Sequence, residues 1–222
     1  MRFIGITGGV GAGKSAILSY LAEKPNTKVL LADEIAHELM EPGTACYEKI
    51  VECFAGEDIF MKGTSEEKVY GEANTLQAQC LKYQPPFDRQ KLARVIFSDS
   101  QKREAMNAIV HPAVKEYVRE VFGQEEARGQ LELLVLEAAL LIEEKYDEIC
   151  DELWYIYTSE ANRKTRLMAS RGYSPEKVDS IFKSQLPEEE FRKSTQVIID
   201  NNGDLEHTFE QIEKALRRKA DE

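Results

Sequence analysis

Cysteine is scarce. Cys46, Cys53, Cys80 and Cys150 are the only four in 222 residues, and no two form a C-x-x-C pair. That spacing excludes a disulfide framework and a zinc ribbon, and the four read as free thiols in a reducing cytosol. Long apolar runs are missing as well, which excludes a membrane-spanning helix. The N-terminus opens directly on a strand pattern, so no signal peptide is expected. Positive charge is in deficit: 29 Lys and Arg stand against 40 Asp and Glu, a net charge of −11. Such a balance argues against nucleic acid as a partner. An anionic ligand must then be held by local basic residues against an acidic background. Repeats and low-complexity stretches are absent too. What remains is a globular composition, 42% hydrophobic and 31% charged. The chain is long enough for one large or two small domains with a real core.

The most informative stretch is Gly8-Gly9-Val10-Gly11-Ala12-Gly13-Lys14-Ser15, directly after the apolar run Phe3-Ile4-Gly5-Ile6. It fits G-x-x-x-x-G-K-[ST], the phosphate-binding P-loop, in the strand-to-helix setting that the motif requires. Glycines let the backbone curl so that its N–H groups converge into an anion-binding nest. The helix expected from Lys14, with Ile17, Leu18 and Leu21 on its apolar face, adds the positive end of its dipole. Lys14 can reach the outer phosphates, and the Ser15 hydroxyl can ligate Mg²⁺. The candidate nucleotide-binding residues are therefore Gly8, Gly9, Gly11, Ala12, Gly13, Lys14, Ser15 and Ala16.

Apolar, partly β-branched runs at Arg2–Thr7, Lys28–Ala32, Leu131–Glu137, Leu153–Thr158 and Gln196–Asp200 predict strands. Helical patterns separate them, so the expected class is α/β with a mainly parallel sheet. Ligands of such sheets sit beyond the carboxyl ends of the strands. The P-loop, Asp33, Glu137 to Glu143 and Asp200-Asn201-Asn202 all fall there. Between the second and third runs no strand is evident. Helical periodicity is good in Tyr47–Phe54, Leu92–Phe97 and Val114–Phe122, with breaks expected at Pro42-Gly43, Pro85-Pro86 and His111-Pro112. The polar stretch Ala55–Tyr83 reads as a long loop with one helix.

After the fourth run comes a basic segment containing Arg163, Lys164, Arg166, Arg171, Lys177 and Lys183. Ser174-Pro175-Glu176 marks a helix start with proline at its first position. Charged helices of this kind are ordinarily solvated faces. Beside a P-loop they also suit a lid whose cations neutralise phosphoryl oxygens in the transition state.

Several local patterns occur in an order that resembles one family, dephospho-coenzyme A kinase. They are Ile4-Gly5-Ile6-Thr7 running into the P-loop, Ala32-Asp33-Glu34-Ile35-Ala36-His37 with Glu41-Pro42-Gly43, and Asp88-Arg89-x-x-Leu92. Asn107-x-x-x-His111-Pro112, Leu140-Leu141-Ile142-Glu143, Arg166-x-x-x-x-Arg171, Gln185 and Ile199-Asp200-Asn201-Asn202-Gly203 follow. Two positions depart from the family pattern. Leu31 stands where an Asp is usual, and Ala139 where a Pro is usual. The stretch 55–86 is also longer than usual.

The resemblance implies a P-loop three-layer sandwich of about five parallel strands, with residues 1–41, 131–158 and 196–222 as its core. It implies a helical acceptor-binding insertion over 42–130 and a lid over 159–195. The implied reaction moves the γ-phosphoryl of ATP, with Mg²⁺, to the ribose 3′-hydroxyl of dephospho-CoA. Lys14, Asp33, Arg166 and Arg171 would carry it, with Asp33 as proton acceptor. From the residues alone, the commoner fate of such an Asp is an N-cap, here for the helix bearing Ile35, Ala36, Leu39 and Met40. His37, Arg89, His111 and Glu143 would join Asp33 in holding the acceptor. Asn201 would shape the turn near the adenine, and Glu137 could act through Mg²⁺-bound water. Tyr83, Phe87 and Tyr117 would be acceptor-stacking rings or, as is commoner, core aromatics. A cytoplasmic monomer or weak homo-oligomer is expected. Two other readings share the P-loop: another nucleoside or nucleotide kinase, and a non-catalytic ATP-binding homologue.

Overall fold

Five strands form one all-parallel sheet: β1 Arg2–Thr7, β2 Thr27–Leu31, β3 Leu133–Glu137, β4 Glu152–Tyr157 and β5 Val197–Asp200. This is the architecture of a computed structural model that describes residues 1–61 and 85–218. Spatial order is β2-β3-β1-β4-β5, so the first strand of the chain is the central one. Ile4 pairs with Val135 on one side, and Ile6 with Trp154 on the other. The strands read as continuous apolar runs, not alternating ones, because a parallel sheet is covered on both faces.

Both covers are visible. On one face Ile4, Ile6, Val135, Trp154, Ile156 and Ile199 are buried against Ile17 and Leu21 of α1, Lys14–Ala22, and against Ile212 and Ala215 of the last helix. On the other face Phe3 stacks on Phe122 at 5.3 Å, and Tyr155 stacks on Phe191 at 4.9 Å. Each buried aliphatic or aromatic side chain contributes about 1.5–3 kcal/mol, so these two layers hold the sheet.

The remaining helices are α2 Ala32–Leu39, α3 Ala45–Cys53, α4 Arg89–Ser98 and α5 Ser100–Arg128. After β4 come α6 Glu160–Arg171, α7 Pro175–Lys183, α8 Glu188–Ser194 and α9 Leu205–Arg217. Helix α7 begins as its sequence implies. Ser174 is the N-cap, its hydroxyl accepting from the Lys177 N–H, and Pro175 sits in the first turn, where a missing N–H costs nothing.

The chain divides into two compact units, residues 1–32 with 122–222, and residues 33–121. In the second unit Tyr47, Ile50, Ile59, Phe87 and Leu92 are buried. Phe60 and Phe87 form an antiparallel bridge, and the Tyr47 hydroxyl donates to the Pro85 carbonyl at 2.7 Å. That bridge falls in a stretch where sequence showed no strand. Phe87 stacks between Tyr47 and Phe60, which makes it a core aromatic. Tyr83, Cys80 and most of the 55–86 segment lie outside the described residues. Cys46 and Cys150 are buried and Cys53 is exposed; burial pushes the Cys46 thiol above its ordinary pKa.

Contrary to the expected break at His111-Pro112, α5 runs straight through Pro112. A proline inside a helix costs about 3 kcal/mol. Met106, Val110, Val114 and Val118 recur at a spacing of four and are all buried. That spacing places them on one helix face, and burying the row outweighs the proline.

Asp33 also corrects its expected place. It is not an N-cap: α2 starts at Ala32, directly after β2, and Asp33 lies within the first turn. The carboxylate there favours the helix through the dipole, not through capping.

Candidate functional site

Residues 8–13 leave β1 and turn into α1 with a left-handed backbone at Gly11 and Gly13. Gly13 caps α1 at φ 87° with no side-chain cap, and no acidic residue lies in the helix's first turn. The first N–H groups of a helix have no partner within it. Those of α1 therefore open on the carboxyl end of β1 as an anion-binding end. A side chain at Gly13 is barred twice, by φ and because its Cβ would lie 2.4 Å from the Asn201 amide nitrogen.

Lys14 folds back onto the loop. Its Nζ donates to the Gly8 carbonyl at 2.7 Å and lies 3.5 Å from a Glu137 carboxylate oxygen. Glu137 ends β3, and its register partner on β1 is Ile6. Strand pairing thus sets the acid beside the lysine. Ser15, in the first turn of α1, is exposed.

Three other segments hold the loop from behind. The Ala12 carbonyl accepts from the Asn201 side-chain amide at 2.7 Å and from the Thr158 hydroxyl at 3.1 Å. Arg166 donates to the Asn201 carbonyl at 2.8 Å and reaches Ala12 and Thr158 at 3.5 Å. Asn201 is buried, and its amide oxygen accepts from the Thr208 hydroxyl at 3.0 Å. Asn202 makes the turn that sequence suggested, its N–H donating to the Asp200 carboxylate at 2.8 Å. The structural work of the Asn201 side chain was not legible, because no local pattern links it to Ala12.

Within the basic segment the residues separate. Lys164 pairs with Asp179 at 2.5 Å on the surface. Arg171 is exposed, its guanidinium 6.0 Å from the Tyr173 ring centre. Arg163 is buried and donates its Nε to the Val10 carbonyl at 2.9 Å. Burial holds its pKa below the ordinary arginine value, while Tyr155, Glu160 and Glu188 pull it back up. Arg163 was read only as one of six charges, so its place behind the loop is a residue that sequence reasoning missed.

In the second unit, a cavity of about 370 Å³ gathers His37, Arg89 and His111 with Arg103, against apolar walls such as Phe87 and Leu92. Three of the expected acceptor residues therefore meet in one place. Asp33 is exposed in the first turn of α2 and is not among the cavity's lining, nor is Glu143, which is exposed in the turn after β3. Tyr117 is only partly buried on α5, and also lies outside the lining.

Among the described residues no group of three or more His, Cys, Asp or Glu could hold a metal. A cation at the P-loop would share its ligands with bound phosphates, and the hard oxygens of Ser15 and Glu137 fit that role. No helix among the described residues is long and apolar enough to cross a membrane.

Comparison with known proteins points the same way. The family model described as dephospho-CoA kinase matches residues 2–207. A dephospho-CoA kinase of Symbiobacterium thermophilum is 34% identical over 217 residues, covering 98% of this chain and 81% of that one. One from Shouchella clausii is 33% identical over 219 residues, covering 99% of both. A crystal structure from Thermus thermophilus superposes with a TM-score of 0.70 at 30% identity, over 98% of this chain and 97% of that one. The dephospho-CoA kinase of Campylobacter jejuni shares the fold at a TM-score of 0.66 and 19% identity, over 98% and 96% of the two chains.

Proposed function

The chain belongs to the dephospho-CoA kinase family, and on that premise we propose how its residues divide the work of moving a phosphoryl group from ATP to the 3′-hydroxyl of dephospho-CoA. The observation that carries the donor half is the open N-terminus of α1 with Lys14 beside Glu137. The glycine-lined loop and the α1 dipole receive the triphosphate, and Lys14 exchanges the Gly8 carbonyl for phosphate oxygens. Ser15, with Glu137 through water, holds the Mg²⁺, whose chemistry is to neutralise charge on the phosphates. Arg171 is free to swing from Tyr173 onto the transferring group, while Arg166 keeps the loop and Asn201 together and adds positive field.

The acceptor half rests on the second unit. Arg89 and Arg103 offer forks for pyrophosphate, and the apolar wall suits the rest of a long, partly apolar acceptor. Asp33, two residues past the carboxyl end of β2, takes the hydroxyl proton. Leu31 removes one acidic contact that the family pattern carries, and Ala139 alters the turn that presents Glu143, while Lys14, Ser15, Asp33, Arg166 and Arg171 are retained. The same reading makes the chain a cytoplasmic enzyme.

A coupled assay with ATP and Mg²⁺ tests it against a panel of dephospho-CoA, nucleosides and nucleotides. Turnover is expected with dephospho-CoA and ADP release should be stoichiometric with product. Preference for a nucleoside acceptor would refute the reading, and so would ATP binding without transfer to any acceptor.

A further inference from the structure

Gly9 is the one P-loop glycine whose backbone does not ask for glycine. Gly8, Gly11 and Gly13 carry positive φ, and Gly9 does not. What Gly9 lacks room for is a side chain. A Cβ there would lie 2.3–2.6 Å from three atoms of the Arg163 guanidinium. That guanidinium is clamped on several sides. Its Nε donates to the Val10 carbonyl at 2.9 Å, its Nη2 donates to the Gln185 side-chain oxygen, and the Phe182 ring centre lies 4.3 Å from its carbon. The same Gln185 oxygen accepts from the Val10 N–H at 3.4 Å. Both polar groups of Val10 are therefore tied to the basic segment, the carbonyl to Arg163 in α6 and the N–H to Gln185 just beyond α7.

Arg163 is 9% exposed and, among the described residues, forms no ion pair. A buried guanidinium without a carboxylate is costly unless its hydrogen bonds are well made. A flat fork can serve two acceptors on different segments at once; an ammonium cannot do so in one plane. We propose that Arg163 is a positioning residue for nucleotide binding: with Gln185 it fixes the Val10 peptide, and Gly9 is glycine to admit the guanidinium, not to admit phosphate. This rests on the reading of the loop as an ATP site.

The test is a double-mutant cycle on the full chain, with ATP affinity by calorimetry and steady-state kinetics alongside. Arg163→Met should raise the Kd for ATP about tenfold, the scale of losing a charged hydrogen-bond pair. Arg163→Lys should do the same. Saturated turnover and the KM for dephospho-CoA should stay within about twofold. Gly9→Ala should also weaken ATP binding, because its methyl expels the guanidinium. Combined with Arg163→Met, it should add less than about twofold, since the space is already vacated. Losses that multiply toward a hundredfold would mean that Gly9 itself admits phosphate, and would overturn the inference. So would ATP affinity unchanged in Arg163→Met, or a dephospho-CoA KM rising in step with the ATP Kd. If Arg163→Met does not fold by circular dichroism, Arg163→Lys, which also removes the guanidinium, replaces it in the cycle with the same expectations. Failure of the unaltered chain to bind ATP would instead sink the ATP-site reading.

Discussion

Lys14 bonds the Gly8 carbonyl and sits beside the Glu137 carboxylate, outside the apolar core, so its removal tests chemistry with little effect on folding. Lys14→Ala should lose most phosphoryl transfer while melting within about 2 °C of the parent, which parallel activity and melting measurements check. Near-normal turnover would reject the P-loop assignment. Asp33 offers a cleaner separation than sequence suggested. It caps nothing, so Asp33→Asn forfeits only a charge near a helix N-terminus, about 0.3–1 kcal/mol. Single-turnover transfer to dephospho-CoA should nevertheless fall about 10²–10⁴-fold, the range for a general base. If transfer is unchanged, Asp33 is only a first-turn acid. At this scale the glycines, Lys14 and Ser15 were legible because a nest and a helix end dictate their spacing. The hold of Arg163 on Val10 and of the Asn201 side chain on Ala12 was not, because these partners are distant in the chain and nothing local announces them.

Elements were read well where one force dominated. The strands lie within two residues of their apolar runs, since a parallel sheet needs nothing but burial on both faces. Ser174-Pro175 marked α7 by capping alone. The reading failed at Pro112, where two forces compete and only packing decides. Pro112→Ala should therefore stabilise the protein, by up to about 3 kcal/mol in chemical denaturation; destabilisation would mean that the proline itself is a needed contact. A second seam joins α1 to α9. The Tyr20 hydroxyl donates to Glu213 at 2.6 Å, and Lys24 bonds the same oxygen. Lys24 and Tyr20 together hold the Glu213 carboxyl below its ordinary value of 4.5. A depressed folded-state pKa gives stability that is complete above the unfolded value and fades as pH falls through the folded one. The melting temperature of the parent should thus fall below about pH 5 more steeply than that of Glu213→Gln. Parallel curves would show that this seam carries no proton linkage.

For the whole molecule, the net charge of −11 sets the terms on which an anionic substrate is met. The cations that face ligand are few and local, so ligand should act as a missing counter-charge. ATP at a hundredfold its Kd should raise stability by about 2.7 kcal/mol, or roughly 5–11 °C in a chain of this size. Lys14→Ala should lose most of that shift in a thermal melt with MgATP. An equal shift in the variant would place the nucleotide elsewhere.

The strand order also has a consequence for synthesis. The central β1 neighbours only β3 and β4, and β2 neighbours only β3. No strand of the sheet finds a partner until the ribosome has passed Leu133. At 5–20 residues per second, that leaves the central strand waiting roughly 7–26 s. During that interval the nascent chain holds an adhesive edge on both sides of β1. Chaperone capture should accordingly peak on ribosome-bound chains shorter than the β3 register and drop once β3 emerges.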